Sequence, residues 1–331
     1  MARIRGQEAP VRILKTFLER KRLPHALLFS GIDGIGKFTT ARLFATAVLC
    51  ERREAGMEAA FDSCERCRSC RLAATGNHPD LQIIEPEGSI TRIGRIRELL
   101  SIFALKSHAG GYRVAILRDA PAMNPEAANA LLKILEEPPE RSLLILTADR
   151  VSDLLPTIVS RCQSVRFRPL DRETLERLLS ELAGVDRREA EVLAFLGRGS
   201  SSAALTLHAE GWIRRREWLM DRFENLAESS VAERLALAEL LSRDRRQLAI
   251  TLEMAAGWFR DLAVAQAAPE SVENKDQADR IGRWSARLDP DRIQAVLELI
   301  LKASRSLTGN LNTRLTVEVL LMRTAALLGA V

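Results

Sequence analysis

"ALLFSGIDGIGKFTTARL" (Ala26–Leu43) joins a short apolar run to a glycine-rich turn and then to a stretch of helical composition. Strand, loop and helix in that order aim backbone N–H groups and a helix N-terminus at a bound anion. Gly31 and Gly36 bracket four residues, Gly34 lies between them, and Lys37 follows. This is the spacing of the phosphate-binding loop G-x-x-x-x-G-K-[ST], whose last position supplies a hydroxyl to Mg²⁺. Phe38 stands there instead. Thr39 is one residue further on, about 100° round the helix, and does not simply substitute. Two readings stay open: a site that still takes ATP or ADP through Gly31, Gly34, Gly36, Lys37 and Thr39, or a loop kept for its packing.

Four further runs of the same kind follow: "LQII" (81–84), "RVAIL" (113–117), "LLILT" (143–147) and "SVRF" (164–167). Short, mostly apolar and separated by helical patterns, they read as strands of a parallel sheet. The fold class is therefore α/β, with ligands expected at the carboxyl ends of the strands. The run "RVAIL" ends in Arg118-Asp119-Ala120. Asp119 is a possible metal partner, but Ala120 occupies the place of a water-polarising carboxylate, and loss of a positioned base typically costs ~10²- to 10⁴-fold in rate. Thr147 closes the fourth run and is a further candidate for contact with a nucleotide at that end of the sheet. The chain on its own is expected to catalyse nothing.

At 331 residues the chain has room for two or three domains. Ten of its twelve prolines precede Leu170, and all four tryptophans follow it. After that point only helical patterns occur, beginning with "DRETLERLLSELAG" (171–184), where Asp171 is the N-cap and Gly184 the stop. The expected division is an α/β domain over 1–169, a small helical domain over 170–208 and a helical domain over 209–331. No run reaches the ~18 apolar residues of a membrane span, and "MARIRGQEAP" lacks the apolar centre of a signal peptide, so a cytoplasmic protein without membrane contact is expected. A net charge of +5 permits contact with nucleic acid without demonstrating it. "RRRE" from Arg214 and "RDRR" from Arg243 read as solvated helix faces.

Cys50 and "CERCRSC" (64–70) place four thiols, Cys50, Cys64, Cys67 and Cys70, in a polar insertion over 50–75. Four thiolates close a tetrahedral shell, the arrangement of structural Zn²⁺. The competing iron–sulfur run needs a further Cys three residues on, followed by Pro, and the chain has Ala74 and Thr75 there. Cys162 stands apart and reads as a small buried residue.

These residues together resemble the bacterial DNA polymerase III clamp loader, a branch of the AAA+ ATPases. The likeness is carried by Gly6-Gln7, "LPHALLFSG" (23–31), the phosphate loop, the cysteine insertion, "NALLKILEEPPE" (129–140) and Ser160-Arg161-Cys162. It implies an AAA+ parallel-sheet domain, a helical lid and a C-terminal helical collar that oligomerises. Motor subunits of the family carry Ser or Thr after the lysine, Asp-Glu after the third strand and an Arg after a Gly-Ser pair; here Phe38, Ala120 and Ser202 stand in those positions. Arg161 is intact, and the family projects that residue as an arginine finger onto the ATP of a neighbouring subunit. The resemblance thus implies a largely inactive stator acting in DNA replication. Its partners would be the motor subunits, the clamp-opening subunit and, through the assembly, the sliding clamp and primed DNA. An active motor ATPase and a stand-alone zinc DNA-binding protein are the alternatives. Arg92, Arg95 and Arg97 read either as DNA-backbone contacts inside the ring or as a charged helix face.

Overall fold

Five short strands pair into one parallel sheet in the computed structural model, which describes residues 4–52, 61, 63–105, 107, 111–307 and 312–329. Of the cysteine insertion 50–75, residues 53–60 and 62 lie outside the described residues. The chain runs α1 (Glu8–Glu19), β1 (Ala26–Ser30), α2 (Lys37–Leu49), α3 (Arg68–Ala74), β2 (Leu81–Ile84), α4 (Ile93–Ala104), β3 (Arg113–Leu117), α5 (Pro125–Glu136), β4 (Ser142–Ala148), α6 (Pro156–Val159) and β5 (Gln163–Arg166). Helices α7 (Arg172–Ala183), α8 (Arg187–Leu196), α9 (Ser201–Ala209), α10 (Trp212–Glu224), α11 (Val231–Ser242), α12 (Arg245–Ala267), α13 (Ala278–Ser285), α14 (Pro290–Ser306) and α15 (Thr313–Gly329) follow. Among the described residues no strand comes after β5.

The strand order is β2-β3-β4-β1-β5, with Leu28 of β1 facing Leu146 of β4 on one side and Ser164 of β5 on the other. Alternate side chains leave the sheet on opposite faces. Ala26 and Leu28 join Leu99, Leu131, Leu135 and Ile158 in one core, while Leu27 and Phe29 join Leu14, Phe44, Ile145 and Phe167 in the other. Both faces being covered, β1, β3 and β4 are buried from end to end, and this is why most of their letters are apolar. Gln7 ties the chain start to the exit of β5: its Nε2 donates to the Arg168 carbonyl (2.7 Å) and its Oε1 accepts from the Arg168 N–H (3.2 Å).

Packing divides the chain into two units, Met1–Leu182 with Arg198–Ala203, and Ala183–Gly197 with Ala204–Val331. The stretch 170–208 is shared between them. The Asp171 carboxylate accepts from the Thr174 N–H at 2.8 Å, capping α7. Within the second unit the 23-residue α12 packs along α13 and α14, and α11 along α15. Phe223, Phe259 and Trp284 stack edge to face, with ring centroids 5.6 and 6.5 Å apart. The wholly buried Asp261 carboxylate accepts from the Asn274 backbone N–H (2.7 Å) and side-chain amide (2.6 Å), and the Asn274 Oδ1 in turn accepts from Arg216 (2.6 Å).

Candidate functional site

The carboxyl ends of β1, β3 and β4 converge on a cavity of about 410 Å³. It brings together Gly34, Gly36, Lys37, Thr39, Asp119 and Thr147, six of the residues the sequence singles out, and adds Phe38, Arg118 and Asp149. Gly31 lies outside its lining. Gly36 caps α2 from the left-handed region (φ 96°), so Lys37 opens the helix and its side chain folds back over the loop. The ammonium donates to the carbonyls of Gly31 (2.5 Å) and Ile32 (2.8 Å) and to Asp149 Oδ1 (2.8 Å). An ammonium has three donors, and all three are engaged.

Phe38 brings no oxygen to the cavity. Its ring lies 5.2 Å below the Arg118 guanidinium, which also reaches Glu85 Oε1 at 2.8 Å. Asp119 sits at φ 50°, and its N–H donates to Thr147 Oγ1 (3.0 Å), which fixes the position of that hydroxyl at the strand end. Burial first, then the carboxylates of Asp149 and Asp33, push the Asp119 carboxyl up, while Lys37 and Arg118 oppose them. Ala120 is fully buried in the core and places no base at the cavity.

The loop is closed from the side by the start of α9. The Ser201 hydroxyl and Ser202 N–H both donate to the Gly34 carbonyl, at 2.8 and 3.3 Å. A methyl group on Gly34 would fall 2.3 Å from Ser200 Oγ and 2.7 Å from Ser202 Cβ. Asp149, Ser200 and Ser201 are site residues the sequence reading missed. Asp149 meets Lys37 across 112 positions, and no local pattern signals it.

Arg161 lies elsewhere, just beyond α6. Its guanidinium pairs with Glu136 Oε1 (2.9 Å) and donates to the Thr157 carbonyl (3.0 Å). Both partners of the ion pair face solvent, at 36% and 52% exposure, so the pair is weak and exchangeable. Arg95 is paired with Glu98 at 3.0 Å. Cys162 is removed from the other cysteines, and burial pushes its thiol up to about 12.

The four remaining thiols meet. Cys50 follows the last residue of α2, Cys67 caps α3 by accepting the Cys70 N–H (3.4 Å), and Cys70 rides on that helix. All four sulfur atoms lie within 4.8 Å of one another, with Cys64 and Cys70 3.9 Å apart. A tetrahedral ion with Zn–S bonds near 2.3 Å spaces its sulfurs by ~3.8 Å, so the set fits a four-thiolate metal. N–H groups of Arg66 and Cys67 bring the Cys64 thiol down to about 6, whereas burial pushes Cys50 and Cys70 up. Beside the cluster Ser69 Oγ donates to Glu51 (2.9 Å), and His78 Nε2 lies 3.1 Å from the same hydroxyl. Since His78 Nδ1 accepts from the Asp80 N–H (3.0 Å), the neutral ring carries its proton on Nε2 and donates to Ser69. Burial lowers the His78 pKa and keeps that form.

No helix among the described residues is long and apolar enough to cross a membrane. The sequence family described as "DNA polymerase III, delta subunit" matches residues 6–171, and "DNA polymerase III, delta subunit, C terminal" matches 210–325. A protein of Pseudomonas aeruginosa named DNA polymerase III subunit delta' is 37% identical over 216 residues, 64% of each chain. Its namesake in Bacillus subtilis is 35% identical over 53% of this chain and 51% of its own. A third in Escherichia coli is 28% identical over 90% of this chain and 88% of its own. The chain thus spans less than two thirds of the length of the first two. By the match of its parallel-sheet unit and of its helical end, the chain belongs to the DNA polymerase III delta subunit family, beside the proteins named subunit delta'.

Proposed function

We propose that this chain is the non-hydrolysing stator of the DNA polymerase III clamp loader, supplying Arg161 in trans to an ATP held by a neighbouring subunit. The observation that carries the reading is a contrast between two sites. At the loop cavity Phe38 offers no metal ligand, Ala120 no base and Ser202 no guanidinium, and the lysine is already satisfied by its own chain. At the other site a guanidinium faces solvent on an ion pair that exchanges easily. A cation placed against a transferring phosphoryl group neutralises developing charge and is worth ~10³ to 10⁵ in rate in well-studied cases. A subunit can therefore be required for hydrolysis while hydrolysing nothing.

In this reading 1–169 is the AAA+ domain, 170–208 the lid and 209–331 the collar. The chain assembles with motor and clamp-opening subunits in the cytoplasm and helps load the sliding clamp at primed DNA. The metal is zinc, held by Cys50, Cys64, Cys67 and Cys70; a closed shell of four thiolates leaves no open position, so it folds the insertion and performs no catalysis.

The test is single-turnover ATP hydrolysis by the reconstituted loader in the presence of clamp and primed DNA. Arg161→Ala should cut the rate at the neighbouring site by on the order of 10³-fold, with Arg161→Lys recovering only part, because a point charge does not reproduce the planar fork. Full turnover by the Arg161→Ala assembly would sink the stator reading.

A further inference from the structure

The lysine of the phosphate loop has a carboxylate where an incoming phosphate oxygen would need to be. Lys37 Nζ has two acceptors from the loop itself, the Gly31 and Ile32 carbonyls, and these curl the loop around the ammonium. The third, Asp149 Oδ1 at 2.8 Å, comes from the residue directly after β4, the strand hydrogen-bonded to β1. The two ends of the pair differ in exposure. The lysine side chain is 7% exposed and that of Asp149 is 55% exposed, so the carboxylate stands on the solvent side of the ammonium, at the mouth of the cavity.

Charge reinforces position. Asp33, Asp119 and Asp149 line the cavity against Lys37 and Arg118, and Arg118 already serves Glu85 and the Phe38 ring. A di- or triphosphate entering this space meets an excess of carboxylate and must displace one of them from the only ammonium there. The displaced carboxylate stays nearby, because Asp149 is fixed by the strand that carries it. We propose that Asp149 is an internal anion that excludes nucleoside di- and triphosphates, holding on Lys37 the place a phosphate oxygen would take. The residue is thus a specificity determinant of the cavity. This inference rests on reading the cavity as an altered nucleotide site, and deepens that reading.

The test uses the full chain alone, with the fluorescent nucleotide mant-ADP as probe and inorganic pyrophosphate as competitor. Asp149→Asn keeps the shape and an acceptor oxygen while removing the charge; Asp149→Ala removes both. Removing one anion from contact with the ammonium should tighten mant-ADP binding by at least about tenfold, and pyrophosphate should compete. The added affinity should vanish in Lys37→Met/Asp149→Asn. Binding by Asp149→Asn no tighter than wild type overturns the proposal, as does a gain that survives the loss of Lys37. Circular dichroism and melting of each variant guard against misfolding, and the near-isosteric Asn keeps the test valid should the Ala variant fail to fold. Since no neighbouring subunit is present, the result is independent of Arg161: a failed finger with a gained nucleotide site refutes the stator and leaves Asp149 standing, and the reverse holds equally.

Discussion

Replacing Gly34 by Ala tests whether the loop is pressed shut by the start of α9. The residue sits at φ 75°, where an L side chain costs about 1–2 kcal/mol. The new methyl would lie 2.3 Å from Ser200 Oγ and 2.7 Å from Ser202 Cβ, both inside van der Waals contact, so 200–202 must retreat. Retreat breaks the two hydrogen bonds that Ser201 and Ser202 donate to the Gly34 carbonyl. At about 0.5–1.5 kcal/mol each these contribute about 1–3 kcal/mol, and with the backbone term the whole cost is about 2–5 kcal/mol. Amide exchange at Ser202 reads its own bond, about 0.5–1.5 kcal/mol of that, and should quicken roughly 2- to 13-fold. Gly94 is the control. It lies in α4 with nothing within 4 Å of an added methyl, so Gly94→Ala should be neutral or stabilise by up to about 1 kcal/mol. Unchanged exchange at Ser202 in Gly34→Ala would show that the serines do not bear on the loop, and the account of the closed cavity would fall.

Two other perturbations probe the thiol cluster and the helical unit. In metal-stripped, reduced protein Cys64, brought from the ordinary 9.0 to about 6, is the thiol that iodoacetamide should modify first; its rate should climb as pH rises through 6, and zinc should protect it. The depressed value also means that the thiolate's contribution to the metal-free fold is complete above about pH 9 and lost as pH falls through 6. Equal alkylation of all five cysteines at pH 7, by peptide mass mapping, would contradict the geometry. Asp261→Ala should strand two buried donors on Asn274, costing about 2–6 kcal/mol, and Asp261→Asn, whose amide oxygen can still accept both of them, clearly less. All four tryptophans lie in the second unit, so urea unfolding followed by their fluorescence isolates this effect; equal losses in the two variants would refute the donor count.

The sheet was legible because burial on both faces is a local constraint: its inner strands are apolar at most positions, and β1, β2 and β3 coincide with their runs. The β5 edge was less so. β5 is Gln163–Arg166 where "SVRF" suggested 164–167, since an edge strand exposed at three of its four positions is not obliged to be written in apolar letters. The thiol cluster was readable for a similar reason, with three of its members inside seven residues. The Glu51–Ser69–His78 chain beside it was not, because Ser, Glu and His are ordinary surface letters until the fold brings α3 against the end of α2.

Lys37 shows where the limit lies. A lysine in a glycine loop reads as a phosphate ligand because a buried ammonium demands acceptors, and phosphate is the acceptor the pattern is built around. The demand is real, but it is indifferent to the source of the oxygens. Here the chain answers it with two loop carbonyls and one carboxylate. Persistence of the lysine is thus explained by folding alone and carries no information about nucleotide, whereas loss of the metal hydroxyl at Phe38 and of the base at Ala120 removes groups that folding never needed. Retained residues and lost residues are therefore unequal as evidence. At this loop the two substitutions outweigh the lysine, and under the proposed stator reading the functional weight would fall on Arg161, whose ion pair is weak and solvent-facing.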